Sequence, residues 1–419
     1  MEKLGAPYVV KATLCGGDGT KIFETTEQIF IYDRPSALDS EGNFVKKTPN
    51  GEHLDFNMAY AIIQDHYEKN LEIGCNVMSL SNAQNAEQVL ERLDYCLKYG
   101  YMGFLNMNWG LYNENDISLK RWVFIDVLSD ERVRNHPALL GYCLADEPWS
   151  WGSEADAAAN LEEGYRLVRE YDKENVIFSV NNMTQFHEKT TKYCDALFID
   201  HYDPPAGGRI YNKVKIAAEA ADGRMPVWTA LGVWKNKYEY PSGDEVRNEI
   251  YQAFMAGSTG IGYYAITYSD VGNDGPIPVW EVTDQNGNNI GLDTWEGMAS
   301  FKEKEWDIAF DRFGDGEGQF FSEKIAIDDG YMYSSWVDKN GDFYIVVLNV
   351  AGKESVDVKI PLTSDNGKAS IGKFSATVIN GSDQADFTGD GTLNVTLQGD
   401  EAVLYKITPD SKVDFSGLG

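Results

Sequence analysis

At 419 residues, with 43% apolar and 13% aromatic side chains, the chain carries ample core material and is not a disordered tract. A formal net charge of -30 excludes nucleic acid, whose phosphates need a basic surface, and disfavours anionic membranes and strongly acidic polymers. A neutral or weakly charged substrate fits that surface, and no apolar run is long enough for membrane insertion. The five cysteines cannot all pair and show no zinc-type spacing. Cys75, Cys143 and Cys194 in apolar runs and Cys96 on a helix face read as small buried hydrophobes. Met1-Glu2-Lys3 opens into ordinary sequence without a signal-peptide pattern.

Residues 1–25 read as an extension or a hairpin around Gly16-Gly17-Asp18-Gly19. From 26 to 313, short apolar runs alternate with helical patterns over 85–99, 154–171, 242–256 and 294–312. The strand candidates are 28–33, 72–80, 101–108, 138–146, 175–181, 194–201, 225–233 and 259–268. Eight strand–helix units predict an α/β fold of the closed (β/α)8 TIM-barrel type, for which roughly 250 residues suffice. Over 314–412 the pattern becomes short strands split by Gly, Asn and Asp turns, including 343–349, 356–360, 374–379, 393–397 and 402–407. That spacing predicts a smaller antiparallel β-sandwich, followed by a tail at 413–419. The sandwich has few exposed aromatics beyond Tyr331, Tyr333 and Trp336, and reads as a support packed on the barrel. Its DFTGDGTLN stretch (386–394) lacks two ligand positions of a calcium loop and reads as a hairpin turn.

The chemistry concentrates at Leu140-Gly141-Tyr142-Cys143-Leu144-Ala145-Asp146-Glu147-Pro148. An uncharged run of this kind is a strand covered on both faces, and proline ends it. Asp146 and Glu147 therefore fall at the C-terminal mouth of a barrel strand, where such barrels keep their chemistry. Adjacent acids repel, and burial of either raises its pKa. A helix N-terminus is the alternative setting for two acids, but Ser153 with Asp156 has the pattern of the cap of the next helix.

The other strand ends deliver Asn106, Asn108 and Trp109; Asn181; Asp200, His201, Tyr202 and Asp203; Trp234; and Tyr264, Tyr268 and Asp270. Trp149 and Trp151 follow the acids. Amides, carboxylates and aromatics on one rim suit a sugar, because flat rings stack on pyranoses while polar groups fix hydroxyls. The substrate-binding set is Asn108, Trp109, Trp149, Asn181, Asp200, His201, Tyr202, Trp234, Tyr264 and Tyr268, with Glu147 and Asp146 catalytic and neither metal nor cofactor required. No Gly-rich phosphate loop or GxSxG elbow is present.

His136-Pro137, the run into Asp146-Glu147-Pro148 and Ile199-Asp200-His201-Tyr202 resemble the fourth and sixth strands of the large retaining-glycosidase clan of (β/α)8 barrels. The resemblance implies a bacterial polysaccharide-degrading glycoside hydrolase, secreted, periplasmic or at the cell surface, with Glu147 as acid/base and a glycan as partner. In that clan the seventh strand ends in a glutamate nucleophile, whereas here Pro226-Val227-Trp228-Thr229-Ala230-Leu231-Gly232-Val233-Trp234 has no carboxylate. Glu239 lies in the loop beyond. The Asp-Glu-Pro ending is also similar to N-acetylhexosaminidases whose nucleophile is the substrate's 2-acetamido oxygen, which implies that Asp146 orients that group. Inversion through Asp200, Asp203 or Asp270 is a third option. Two further readings stand beside these: a sugar-binding barrel without catalysis, and a metal-dependent hydrolase built on Asp200, His201 and Asp203.

Overall fold

The computed structural model describes residues 8–29, 35, 37–39, 44–51, 54–59, 66–80, 83–107, 121–150, 153–234, 240–268, 277–314, 316–380 and 385–418. Eight parallel strands close a barrel in chain order: β1 Asn57–Ala59, β2 Val77–Ser79, β3 Met102–Asn106, β4 Leu139–Asp146, β5 Val176–Asn181, β6 Ala196–His201, β7 Val227–Gly232 and β8 Gly260–Tyr264. Helices Ala86–Tyr99 (α1), Arg121–Ser129 (α2), Glu154–Tyr171 (α3), Arg209–Ala221 (α4), Gly243–Met255 (α5), Leu292–Lys304 (α6) and Trp306–Phe313 (α7) cover it. Local sequence sets their ends. The Asn85 side chain caps α1, Ser242 and Glu245 form a reciprocal capping box on α5, and Ser153 caps α3 through the Asp156 amide. The last cap separates Asp146 and Glu147 from any helix N-terminus.

The first strand is not the expected 28–33. Gln28 and Ile29 pair antiparallel with Val9 and Tyr8 in a hairpin, Tyr8–Cys15 with Lys21–Ile29. β1 comes from a run without continuous apolar character, in which Leu54, Phe56 and Met58 point inward. Its intervening polar residues are satisfied outside the barrel: Asp55 accepts from Trp306 Nε1 (3.3 Å) and Asn57 donates to the Ile73 carbonyl (3.1 Å). Strict alternation hid it from a search for fully apolar strands.

The barrel interior is filled, not hollow. Phe56 stacks on Trp228 (3.9 Å, 7°), and Phe178 and Phe198 meet the same indole edge-on. Phe44 closes the N-terminal end against Trp228, while the Lys46 ammonium bonds the Leu139 carbonyl and Asn175 Oδ1. Cys75, Cys96, Cys143 and Cys194 are buried thiols and Cys15 is exposed. No helix among the described residues is long and apolar enough to cross a membrane.

The C-terminal residues form an antiparallel domain of β9 Gln319–Ala326, β10 Tyr331–Val337, β11 Phe343–Asn349, β12 Val356–Pro361, β13 Lys373–Asn380, β14 Phe387–Asp390, β15 Thr392–Leu397 and β16 Ala402–Pro409. Six strands make one sheet in the order β9-β10-β11-β16-β13-β14, and β12 with β15 makes a second. The 386–394 stretch is therefore not a hairpin turn. At Gly391 (φ 68°) the chain leaves one sheet and enters the other, a conformation that suits glycine. Trp336 and Tyr333 are buried rather than exposed. Trp336, with Met332, Leu348 and Leu404, joins the same apolar cluster as the barrel helices.

Polar bonds cross the seam as well. Asn248 Nδ2 of α5 donates to the carbonyls of Asn349 (2.7 Å) and Asp400 (3.0 Å). Fully buried Glu305 accepts from Arg247 (2.9 Å), Tyr251 (2.7 Å) and Asn380 (2.6 Å). Asn248→Ala should lower stability by about 1–3 kcal/mol, since buried acceptors lose their donor. Urea unfolding will show it, and an unchanged midpoint would mean that the seam carries no such weight.

Candidate active site

Strand parity decides which side chains reach the mouth. In β6, Ala196 and Phe198 belong to the interior cluster and Leu197 and Ile199 to the one under the helices, so Asp200 continues the inward row. The same alternation turns Asn106 of β3, Gly232 of β7 and Tyr264 of β8 inward. Around the wall, the described ends of β1, β2, β3, β5, β7 and β8 bear no carboxylate. The acids come from β4 and β6.

β4 delivers two acids because its alternation is broken. Its register against β5 shifts between Cys143 and Asp146, which brings Asp146 beside Val180. Gly141 is required below the shift, since a Cβ there would stand 1.9 Å from the Val176 carbonyl oxygen. Glu147 still donates its amide to Val180 O (3.0 Å), yet its φ is 49°, in the left-handed region that a β-carbon disfavours. Pro148 to Ser150 then make a short 3-10 turn whose Ser150 amide returns to Glu147 O (2.9 Å). A strained residue of this kind, held on both sides, marks a position over-determined by its surroundings.

Three carboxyl groups meet there. Asp200 is almost fully buried, and Glu147, Asp146 and Tyr202 all act on its carboxyl. Burial, then the Glu147 contact, then the Asp146 charge hold Asp200 well above the usual carboxylate range. Asp200 Oδ1 has no hydrogen-bond partner, and neither has the buried Asn106 Oδ1. The Asp146 charge also acts on Cys143 and Tyr202. Burial foremost, with the neighbouring acids, pushes the Tyr202 phenol up.

An aromatic wall stands opposite. Tyr202 stacks on Tyr264 (5.2 Å, 25°), and Trp234 meets both edge-on at 4.6 and 4.9 Å. Gly232 leaves room for them: a Cβ there would lie 3.1 Å from Trp234 and 3.2 Å from Tyr202. The inward place at the end of β7 is thus occupied by rings.

The structure brings together Asp146, Glu147, Asp200, Tyr202, Trp234 and Tyr264, and adds Asn106, which the sequence placed at a strand end without a role. Trp149, Asn181 and His201 are elsewhere. Trp149 is buried, stacks on Phe186 (4.6 Å, 14°) and donates to Thr190 Oγ1 (2.9 Å). Asn181 follows the outward row of β5 and contacts His187 (3.0 Å) and the same threonine (3.1 Å). These two side chains fasten the barrel wall to the segment behind it. His201 is likewise outward and buried, and burial brings its pKa down to about 3, so its ring is neutral. Asp203 pairs with Lys213, so Asp200, His201 and Asp203 do not converge on a metal. Asn108, Trp109, Trp151, Glu239 and Asp270 lie outside the described residues, as does the side chain of Tyr268.

No protein-family model and no curated protein matches the chain. Solved structures do. A family 5 glycoside hydrolase from Bacteroides vulgatus superposes with a TM-score of 0.58 at 12% identity, covering 90% of this chain and 93% of that one. A family 39 glycoside hydrolase from Bacteroides cellulosilyticus gives 0.53 at 12% identity, with 97% and 88% covered. A GH27 β-L-arabinopyranosidase from Geobacillus stearothermophilus gives 0.53 at 8% identity, with 87% and 96% covered. The likeness is one of fold. It extends through the barrel and the sheet domain together, and the site has to be argued from its own residues.

The backbone at Glu147 gives a test that needs no substrate. Glu147→Gly should be more stable than Glu147→Ala by about 1 kcal/mol, because glycine alone occupies the left-handed region without penalty. Equal denaturation midpoints for the two variants would deny the strain.

Proposed function

We propose that the chain is a glycoside hydrolase with Glu147 as general acid and base, acting on a neutral or N-acetylated glycan whose own 2-acetamido oxygen serves as nucleophile. The Asp146-Glu147 doublet at the end of β4, facing a mouth where the other described strand ends offer only the buried Asp200 as a further acid, carries this reading. A retaining pair needs its carboxyls about 5–5.5 Å apart and an inverting pair about 6.5–9.5 Å. Among the described strand ends outside β4, only β6 supplies a carboxylate, the buried Asp200, and β7 ends in glycine where a nucleophile would stand. A mechanism that asks the protein for one acid/base and one orienting carboxylate suits such a site.

In this mechanism Glu147 protonates the departing glycosidic oxygen while the acetamido oxygen closes on the anomeric carbon from the opposite face. The glycosidic bond breaks and a cyclic oxazolinium forms. Asp146 accepts the acetamido N–H and balances the positive charge that develops. Water then attacks the anomeric carbon, gives its proton to Glu147, and releases the sugar with retained configuration. Tyr202, Trp234 and Tyr264 provide flat faces for the ring, and Asn106 offers an unused acceptor to a hydroxyl. The net charge of -30 agrees with a substrate without acidic groups.

Glu147→Gln should lower kcat by about 10²–10⁴-fold while sugar binding persists, because the amide keeps the shape and cannot give a proton. Asp146→Asn should cripple cleavage of 2-acetamido glycosides, and thiazoline mimics of the cyclic intermediate should inhibit the wild type strongly. Covalent labelling of a carboxylate by a 2-fluoro sugar, with thiazolines inert, would instead give the enzyme a nucleophile of its own. Binding of glycans without turnover on any glycoside would make the barrel a sugar-binding protein.

A further inference from the structure

We propose that the outer face of α1 is a second glycan-binding site, in which Tyr95 and Tyr99 stack on uncharged pyranose rings and Lys98 bonds their hydroxyls. The proposal rests on the glycan reading above and extends it to a tether outside the mouth. α1 turns Val89, Leu93 and Cys96 to the core, so its other side has no packing duty, and small or charged helix formers would suffice there. Instead that side gathers Glu91, Tyr95, Lys98 and Tyr99, whose spacing puts them on one helical face. Tyr95 is 45% exposed, the most exposed aromatic residue among those described outside the N-terminal hairpin. The two tyrosines occupy the end of α1 just before β3 begins, and so lie at the opposite end of the barrel from the acids.

The two rings stand 5.8 Å apart between centroids and 30° from parallel. Lys98 Nζ lies 4.6 Å from the Tyr99 ring and 5.6 Å from the Tyr95 ring, and donates to the Tyr99 hydroxyl (3.1 Å). Asp94, 3.2 Å from His136, and Glu91 flank the rings as acceptors. Flat apolar faces bordered by an ammonium, hydroxyls and carboxylates match a sugar, whose C–H faces are apolar and whose edge is hydroxylic. Size separates a glycan from a protein partner. A specific protein interface takes about 800 Å² from each side, whereas an aromatic side chain offers about 150–250 Å². Two rings framed by charged side chains are too small for the first and sufficient for one or two sugar residues. Glu91, Asp94 and the net charge of -30 disfavour an anionic chain, so the ligand is an uncharged glycan, the class assigned to the mouth. A polymer held here raises the local concentration of sugar around the enzyme.

Affinity electrophoresis of the Glu147→Gln chain through gels containing glycol chitin or galactomannan reads binding without cleavage. Adding Tyr95→Ala and Tyr99→Ala together should weaken retardation by one of these polymers about tenfold. Tyr95→Phe with Tyr99→Phe should keep most of it, because the flat faces remain. In the chain that retains Glu147, the alanine pair should raise KM for the retarding polymer and leave kcat/KM for an aryl monoglycoside unchanged. Tyr95→Ser alone, at the more exposed ring, gives the same reading if the alanine pair does not fold. Equal retardation of parent and alanine variant would overturn the proposal. So would a parent chain that neither gel retards, while the wild type turns over aryl glycosides. A concentration-dependent dimer in sedimentation velocity, lost with the same substitutions, would make the patch a contact between copies and overturn it too. Absence of both retardation and turnover on every glycoside would overturn the glycan reading itself.

Discussion

Closure of the barrel fixes everything at its mouth. Once eight parallel strands are joined edge to edge, every second side chain must point inward, and the interior has to be filled from those positions. The lower layers are filled by Phe56, Phe104, Phe178, Phe198 and Trp228. The uppermost inward positions are then the only ones with freedom to be polar, and there the chain has Asn106, Asp200, Gly232 and Tyr264. β4 adds Asp146 and Glu147 by breaking its own alternation. The gathering of acids follows from the register shift of β4 against β5.

That gathering is costly to a folded protein. Like charges of neighbouring carboxyls repel one another, and burial penalises a charge further. The repulsion is lowered when one site stays protonated, and Asp200, the most enclosed, is the one held high. A chain selected for stability alone would place an amide or an apolar side chain there, as β3 and β7 do with Asn106 and Gly232. The left-handed backbone at Glu147 adds a second local cost at the same point. Both costs are borne by a rigid frame. The barrel wall and the six-stranded sheet share one apolar cluster, and Asn248, Arg247 and Glu305 stitch them together. The C-terminal domain therefore acts as a brace on the helices behind β7 and β8, which supply the aromatic wall.

Much of this was legible in the sequence, for definite reasons. Short apolar runs alternating with helical patterns disclosed seven of the eight strands, and Pro148 fixed where β4 stops. β1 was hidden because Asp55 and Asn57 interrupt its apolar residues, and their partners, Trp306 and Ile73, are remote in sequence. Glu147, Asp146, Tyr202, Trp234 and Tyr264 were found because a strand end is a sufficient signal. Trp149, Asn181 and His201 share that signal and yet face the helices, since a strand end says nothing about side. Parity counted from an apolar neighbour would have separated them: Val180 is inward, so Asn181 is outward. The meeting of Asp200 with the β4 acids was not legible at all. It depends on two strands that are not adjacent in the wall and on a register shift that single-sequence patterns do not reveal.

The central claim is that the substrate, not the protein, supplies the nucleophile. The most direct measurement compares initial rates on a matched pair of aryl glycosides that differ only in a 2-acetamido against a 2-hydroxyl group. The account predicts turnover of the 2-acetamido compound with retained anomeric configuration in the fresh product, and a loss of several orders of magnitude for the 2-hydroxyl compound. Equal turnover of the two, or an inverted product, would contradict it.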